Sequence, residues 1–239
     1  MVEYSAFNRK LRVRVPGNPP ILQIKYRKIY MARYRGPRLK VVRRLGRLPG
    51  LTRKIAQNKN SGVRRRPSEF AVRLLEKQRL RYHYGLTEKQ LINYITQARR
   101  SKGPTGNALF SLLEARIDNT IFRLGMAPTI RAARQLVSHG HIRVNEKRVN
   151  KPSSHCKPGD SISVRDNSLS KELVNRYLSM GKPATQRKDT RNVEIPPNLS
   201  FRKSDLTGQI QGVTRRGWLG LRVSDLYIIE YYSRRGRKS

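Results

Sequence analysis

The chain has 239 residues, 53 of them Lys or Arg and 15 Asp or Glu, for a net charge of +38. Self-repulsion at that density is costly unless a polyanion neutralises it, and no stretch approaches the ~20 apolar residues of a membrane-spanning helix, so nucleic acid is the expected partner class and membrane is not. With 36% hydrophobic and 7% aromatic residues the chain has material for one or two modest cores and not for one large enzyme body, and its single Cys156 excludes an intrachain disulfide and suits a reducing compartment.

Residues 1–30 carry Pro16, Pro19 and Pro20 and follow neither helical nor strand period, so they read as a disordered or dispensable extension, with the fold proper expected from Met31. Residues 31–66 hold thirteen Lys and Arg and no acid. Such a block is ordered by its partner rather than by its own burial, apart from a small apolar stripe at Leu39, Val42 and Leu45. After Pro67, helical spacing appears at Phe70, Leu74, Leu75 and Leu80. Thr87 to Gln90 then forms a capping box for a helix with Leu91, Ile95 and Ala98 on one face. Gly103-Pro104 stops it.

Leu109, Leu112, Leu113, Ile117, Ile121 and Leu124 fall on one stripe, which predicts a single helix over 107–124 with Gly125 at its end. Thr129 caps a shorter helix through His139, and Gly140 ends it. Period 2 then begins at Ile142 and Val144, turns at Asn145-Glu146-Lys147, returns through Arg148 and Val149, and closes in a strand with Ile162 and Val164. A helix is predicted from Leu169 to Met180, then a polar loop over 182–198. A last segment of strand character follows, with Leu219, Leu221 and Val223 alternating and Tyr227–Tyr232 rich in β formers, before a basic tail.

The candidate RNA-binding residues form two groups. Arg131, Arg134 and Gln135 lie on the short helix, followed across the turn and hairpin by His139, His141, Arg143, Lys147, Arg148 and Lys151. Ser153, Ser154 and Asn145 are suited to 2′-hydroxyl or phosphate oxygens. The acid-free arm adds Arg33, Arg35, Arg38, Lys40, Arg43, Arg44 and Arg47. Ile130, Ala133, Leu136, Val137, Ile142 and Val144 are packing residues. No carboxylate pair or Ser/His/Asp set supports an enzyme. His139, His141, His155 and Cys156 lack finger spacing, so no metal or other cofactor is expected, and no helix-turn-helix or finger points to DNA.

The run from Glu114 to Val164 closely resembles the RNA-binding module shared by small-subunit ribosomal protein four, some pseudouridine synthases, tyrosyl-tRNA synthetases and a small heat-shock protein of ribosomes. MARYRGPRLKVVRRLGRLPGLT near the start, LRYHYGLTEKQ in the middle and IIEYYSRR at the end are similar to ribosomal protein four, especially its chloroplast-encoded form. The resemblance covers about residues 31–239 outside 166–198. It implies an α+β fold: a helical basic N-terminal domain (31–106), a helix-helix-antiparallel-sheet RNA-binding module (107–178), and a C-terminal segment (179–239) packing beside the first domain. It also implies a non-enzymatic, early-binding constituent of the chloroplast small ribosomal subunit, in the plastid stroma. Its partners would be small-subunit ribosomal RNA and small-subunit protein five, with a part in decoding accuracy. One point departs from relatives. Glu146 stands where the family usually has Gly after Val-Asn; Glu tolerates positive φ poorly, so either the turn differs or Asn145 takes the left-handed position. Arg116-Ile117-Asp118 is superficially similar to the Arg-Leu-Asp motif of pseudouridine synthases, but it lies inside an amphipathic helix with too little chain after it for a catalytic domain, and Asp118 is expected to make an ion pair or local hydrogen bond.

Overall fold

A computed structural model describes residues 34, 36–54, 67–180, 195–214, 216–218 and 221–233. The expectations for residues 1–30, Arg33, Arg35, most of the 182–198 loop, Leu219 and the basic tail lie outside them. The described residues form α1 (Arg38–Leu45), α2 (Glu69–Tyr84), α3 (Glu88–Arg100), α4 (Thr105–Glu114), α5 (Ile117–Arg123), α6 (Ile130–Ser138), β1 (Ile142–Val144), β2 (Lys147–Arg148), β3 (Ser161–Val164), α7 (Ser168–Ser179), β4 (Leu199–Arg202), β5 (Thr207–Ile210) and α8 (Asp225–Ser233). The five strands make one antiparallel sheet in the order β2-β1-β3-β5-β4, an α+β architecture. No helix among the described residues is long and apolar enough to cross a membrane.

Local signals explain much of this. Thr87 and Gln90 form the reciprocal capping box that opens α3, satisfying two amides that a helix start otherwise leaves orphaned. Ser68 caps α2 and Thr129 caps α6, each accepting from the amide three residues on. In α1, Val41, Val42 and Leu45 are buried, but only Leu80 of the stripe expected on α2 is, since Phe70 is 59% exposed and Leu75 36%.

Two hydrophobic cores result among the described residues. A first lobe gathers Val42, Leu45, Leu80, Tyr84, Leu91, Ile95, Leu109 and Leu113 with Ile228 and Tyr232 of α8. A second gathers Ile117, Ile121, Leu124, Leu136, Val137, Ile142, Ile162, Val174, Leu199 and Ile210. The single helix predicted over 107–124 is therefore two helices. Its stripe feeds one core through Leu109 and Leu113 and the other through Ile117, Ile121 and Leu124, and the chain breaks between them at Ala115-Arg116. The loop at 152–156 takes over the helix's hydrogen bonds: the Cys156 amide donates to the Ala115 carbonyl, and the Ile117 and Asp118 amides donate to the Ser154 and Pro152 carbonyls. That satisfaction lets the backbone leave helical geometry without a Gly or Pro.

The C-terminal strand expected over 219–232 is also corrected. Leu221 and Val223 lie in no strand, and Tyr227–Tyr232 belongs to helix α8. Burial decides it. Ile228 and Tyr232, four residues apart, enter the first core together, the Tyr232 hydroxyl donates to Glu88 (2.7 Å), and Arg73 pairs with Glu230 (2.6 Å). β propensity, worth at most about 1 kcal/mol per residue, yields to that packing. The C-terminal strands are β4 and β5, a hairpin that extends the small sheet through β3.

Candidate nucleic-acid interface

Helix α6 buries Ile130, Ala133, Leu136 and Val137, so its opposite face carries Gln135, exposed, and Arg131, half-buried. It ends at exposed His139, and Gly140 follows at φ 75, a conformation that costs a side-chain-bearing residue energy. The missing side chain has a second use: a methyl group at Gly140 would overlap the Arg148 guanidinium, which lies across this turn. Register does the rest, since Arg148 pairs with Arg143 and Lys147 with Val144 in the β1–β2 hairpin, leaving Lys147 and Arg148 exposed and Arg143 half-buried. Lys151 and Ser153 are exposed just beyond. In the first lobe, Arg38, Lys40, Arg43, Arg44 and Arg47 are all exposed on or beside α1, because its other face holds Val41, Val42 and Leu45 against the core. The Gly50 carbonyl accepts from the Ile130 amide (3.0 Å), and Ile130 sits in the first core, so the basic arm and α6 are joined.

This is a cationic surface suited to phosphate. A family model described as Ribosomal protein S4/S9 N-terminal domain matches residues 33–114, and one described as S4 domain matches 115–162; the matches meet where α4 ends. Small ribosomal subunit protein uS4c of Nephroselmis olivacea is 52% identical over 209 residues, covering 85% of this chain and 98% of the relative. The uS4c of Emiliania huxleyi is 52% identical over 86% of this chain and 100% of its own length, and uS4 of Thermosynechococcus vestitus 51% over the same shares.

The chain belongs to the small ribosomal subunit protein uS4 family.

Not every candidate uS4 contact residue reaches the surface. Arg134 is drawn inward: its Nε donates to Asp118 (2.7 Å), and its Nη1 and Nη2 donate to the carbonyls of Gly85 and Tyr84 (both 2.6 Å). The Asn145 side chain is also engaged, donating to Asp160 (2.8 Å) and accepting from the Ser161 amide (2.9 Å), which ties the hairpin turn to β3. In that turn Asn145 and Glu146 both take positive φ (47° and 64°), so the turn keeps the geometry that Gly would favour and Glu146 bears the strain. The ring of His141 meets the Ser170 hydroxyl (2.9 Å), and burial, then the charges of His139 and Arg165, holds its pKa below the ordinary value. Its cationic form is thereby disfavoured, and it serves as a hydrogen-bonding group.

Asp118 forms the ion pair expected of it, with Arg116 and Arg134. Burial, then Asp160, pushes the Cys156 thiol up to about 12. Among the described residues no group of three His, Cys, Asp or Glu could hold a metal ion. Sequence reading passed over Arg165, exposed at the end of β3 and close enough to His141 to affect its charge. The signal was its place directly after the Ser161–Val164 strand, where a residue leaves the sheet beside the α6–β1 turn.

Proposed function

We infer that this protein is a non-enzymatic structural constituent of the chloroplast small ribosomal subunit. It binds small-subunit ribosomal RNA directly and early, holding together RNA helices that would otherwise repel, so that other proteins join the subunit body. The observation that carries the reading is the pairing of two exposed cationic surfaces, α1 and the α6–β1–β2 face, on two lobes joined at Gly50 and Ile130. The RNA contacts of this chain are assigned to Arg38, Lys40, Arg43, Arg44, Arg47, Arg131, Gln135, His139, Arg143, Lys147, Arg148, Lys151 and Ser153. Binding of the full chain to the folded 5′ region of small-subunit RNA should weaken with salt at a log–log slope of about −5 or steeper, as expected when ~7 or more phosphates are neutralised. A slope near −1 contradicts the reading. Fractionation of purified plastids should place the protein with the small subunit.

Contact with small-subunit protein five, and through it an influence on decoding accuracy, is supported by α8. Leu226 (59% exposed) and Tyr227 (39%) face outward, while Ile228 and Tyr232 hold the helix in the core, and Phe70 of α2 is exposed as well. Exposed apolar side chains on a secured helix suit a protein partner. Replacing Leu226 and Tyr227 by Asp should reduce association with protein five and raise misreading at normal subunit yield. Unchanged accuracy and association would reject this contact.

A further inference from the structure

We infer that Asp118 and Arg134 form a clamp that sets the angle between the two lobes, so that both cationic surfaces meet one folded RNA at once. The inference rests on the RNA-binding reading above and adds positioning residues to it. Asp118 is 1% exposed, and its carboxylate accepts from Arg116 Nε (3.0 Å), Arg116 Nη2 (2.8 Å) and Arg134 Nε (2.7 Å). All three residues belong to the second lobe or to its first turn. Two guanidinium groups around one carboxylate leave an excess positive charge, which an interior tolerates only with further partners. Those partners come from the first lobe. Arg134 donates to the Tyr84 and Gly85 carbonyls, at the C-terminal end of α2 where unpaired carbonyls and the helix dipole favour a cation. Arg116 Nη1 donates to the Tyr94 hydroxyl of α3 (2.6 Å).

The geometry makes this an orienting device and not merely a local support. Apolar contacts tolerate sliding, whereas a planar guanidinium with all three nitrogens bonded to fixed acceptors specifies distance and direction. Gly85 belongs to the same fit: it takes φ 59°, and a Cβ there would lie 3.0 Å from Arg134 Nη1. Tyr84 adds a second tie, because its hydroxyl donates to Glu114 (2.5 Å), which is paired with Arg123 of α5 (2.9 Å). Helix α6, which carries Arg131 and Gln135 and leads into the Arg148 hairpin, is thus held to the lobe that carries α1.

Asp118→Asn separates this role from simple electrostatics. Removing a negative charge from an RNA-binding protein should by itself strengthen binding and leave the salt slope as steep or steeper. A loosened clamp does the opposite: affinity falls at least about tenfold, and the slope becomes shallower by at least about 1.5, the equivalent of two or more phosphates, because one surface disengages. Hydroxyl-radical footprints should lose the protections of one lobe and keep those of the other. Unfolding alone would lower the active fraction without changing the slope of the molecules that bind. Arg134→Lys, which retains the charge but not the three-nitrogen fork, should reproduce the shallower slope. Wild-type slope and footprint in either folded variant would overturn the clamp, while a wild-type slope near −1 would instead overturn the RNA-binding reading. If neither variant folds where Tyr94→Phe does, the network holds each lobe together and does not set their angle, which also counts against it.

Discussion

The junction between the lobes and the exposed basic face use the same residue, arginine, to opposite ends. Arg116 is 3% exposed and shares Asp118 with Arg134, and Arg123 faces Glu114, which is 5% exposed. Arg148, by contrast, lies exposed across a glycine, and the arginines of α1 fall within residues 31–66, where there is no acid at all. In so basic a chain the few acids decide what each arginine does. An arginine beside a buried carboxylate is part of the fold, and an exposed one in a stretch that holds no acid is suited to phosphate.

Glu114→Ala leaves Arg123 buried without its partner and should cost about 3–5 kcal/mol of stability by urea unfolding. Arg148→Ala should cost under about 0.5 kcal/mol in the same assay. Equal losses would show that the two arginines are not the different things the structure makes them.

Acid should act on the junction next. His83 is 1% exposed, accepts from the Gly50 amide at Nδ1, and is pushed down to about 3, first by burial and then by the charge of Arg123. The unfolded chain protonates this ring near its ordinary 6.5, so between about pH 6.5 and 3 the unfolded state binds more protons and stability falls as pH drops. The loss approaches about 1.4 kcal/mol per pH unit and roughly 4 kcal/mol over the window. For Glu114, burial alone would raise the pKa, but Arg123 and the hydrogen bonds from Tyr84 and Asn119 hold it below the usual carboxylate value, so its contribution disappears at lower pH, in the same direction. His83→Gln should flatten the part of the stability curve between pH 6.5 and about 5, where few carboxylates titrate. A curve as steep as wild type there would remove His83 from the account.

Two smaller effects sharpen the other side. Arg148→Ala should weaken RNA binding by about 1 kcal/mol and make the salt slope shallower by roughly 0.7–0.9, the share of one phosphate, with melting temperature unchanged. Glu146→Gly should relieve the φ 64 strain, adding about 1 kcal/mol of stability, and should tighten RNA binding slightly by removing a carboxylate from the cationic face. A loss of stability in that variant would mean that the Glu146 side chain makes a contact outweighing its backbone strain.

The charge, the nucleic-acid partner, the caps of α3 and α6, the β1–β2 hairpin and the packing face of α6 are all legible without coordinates. Each depends on neighbours a few residues away, through period, capping chemistry or turn composition, or on net charge, which needs no coordinates. Four other features arise from long-range packing, which settled each of them. It broke the 107–124 stripe between two cores, made a helix of Tyr227–Tyr232, added β4 and β5 to the sheet, and turned Arg134 away from the surface. In each case the partner lies far along the chain: the 152–156 loop for the break, α2 and Glu88 for α8, β3 for β5, and the carbonyls at 84–85 for Arg134. An amphipathic stripe reports that a residue is buried but not in which core. An arginine reports its charge but not its acceptor, because acceptors are set where distant segments meet.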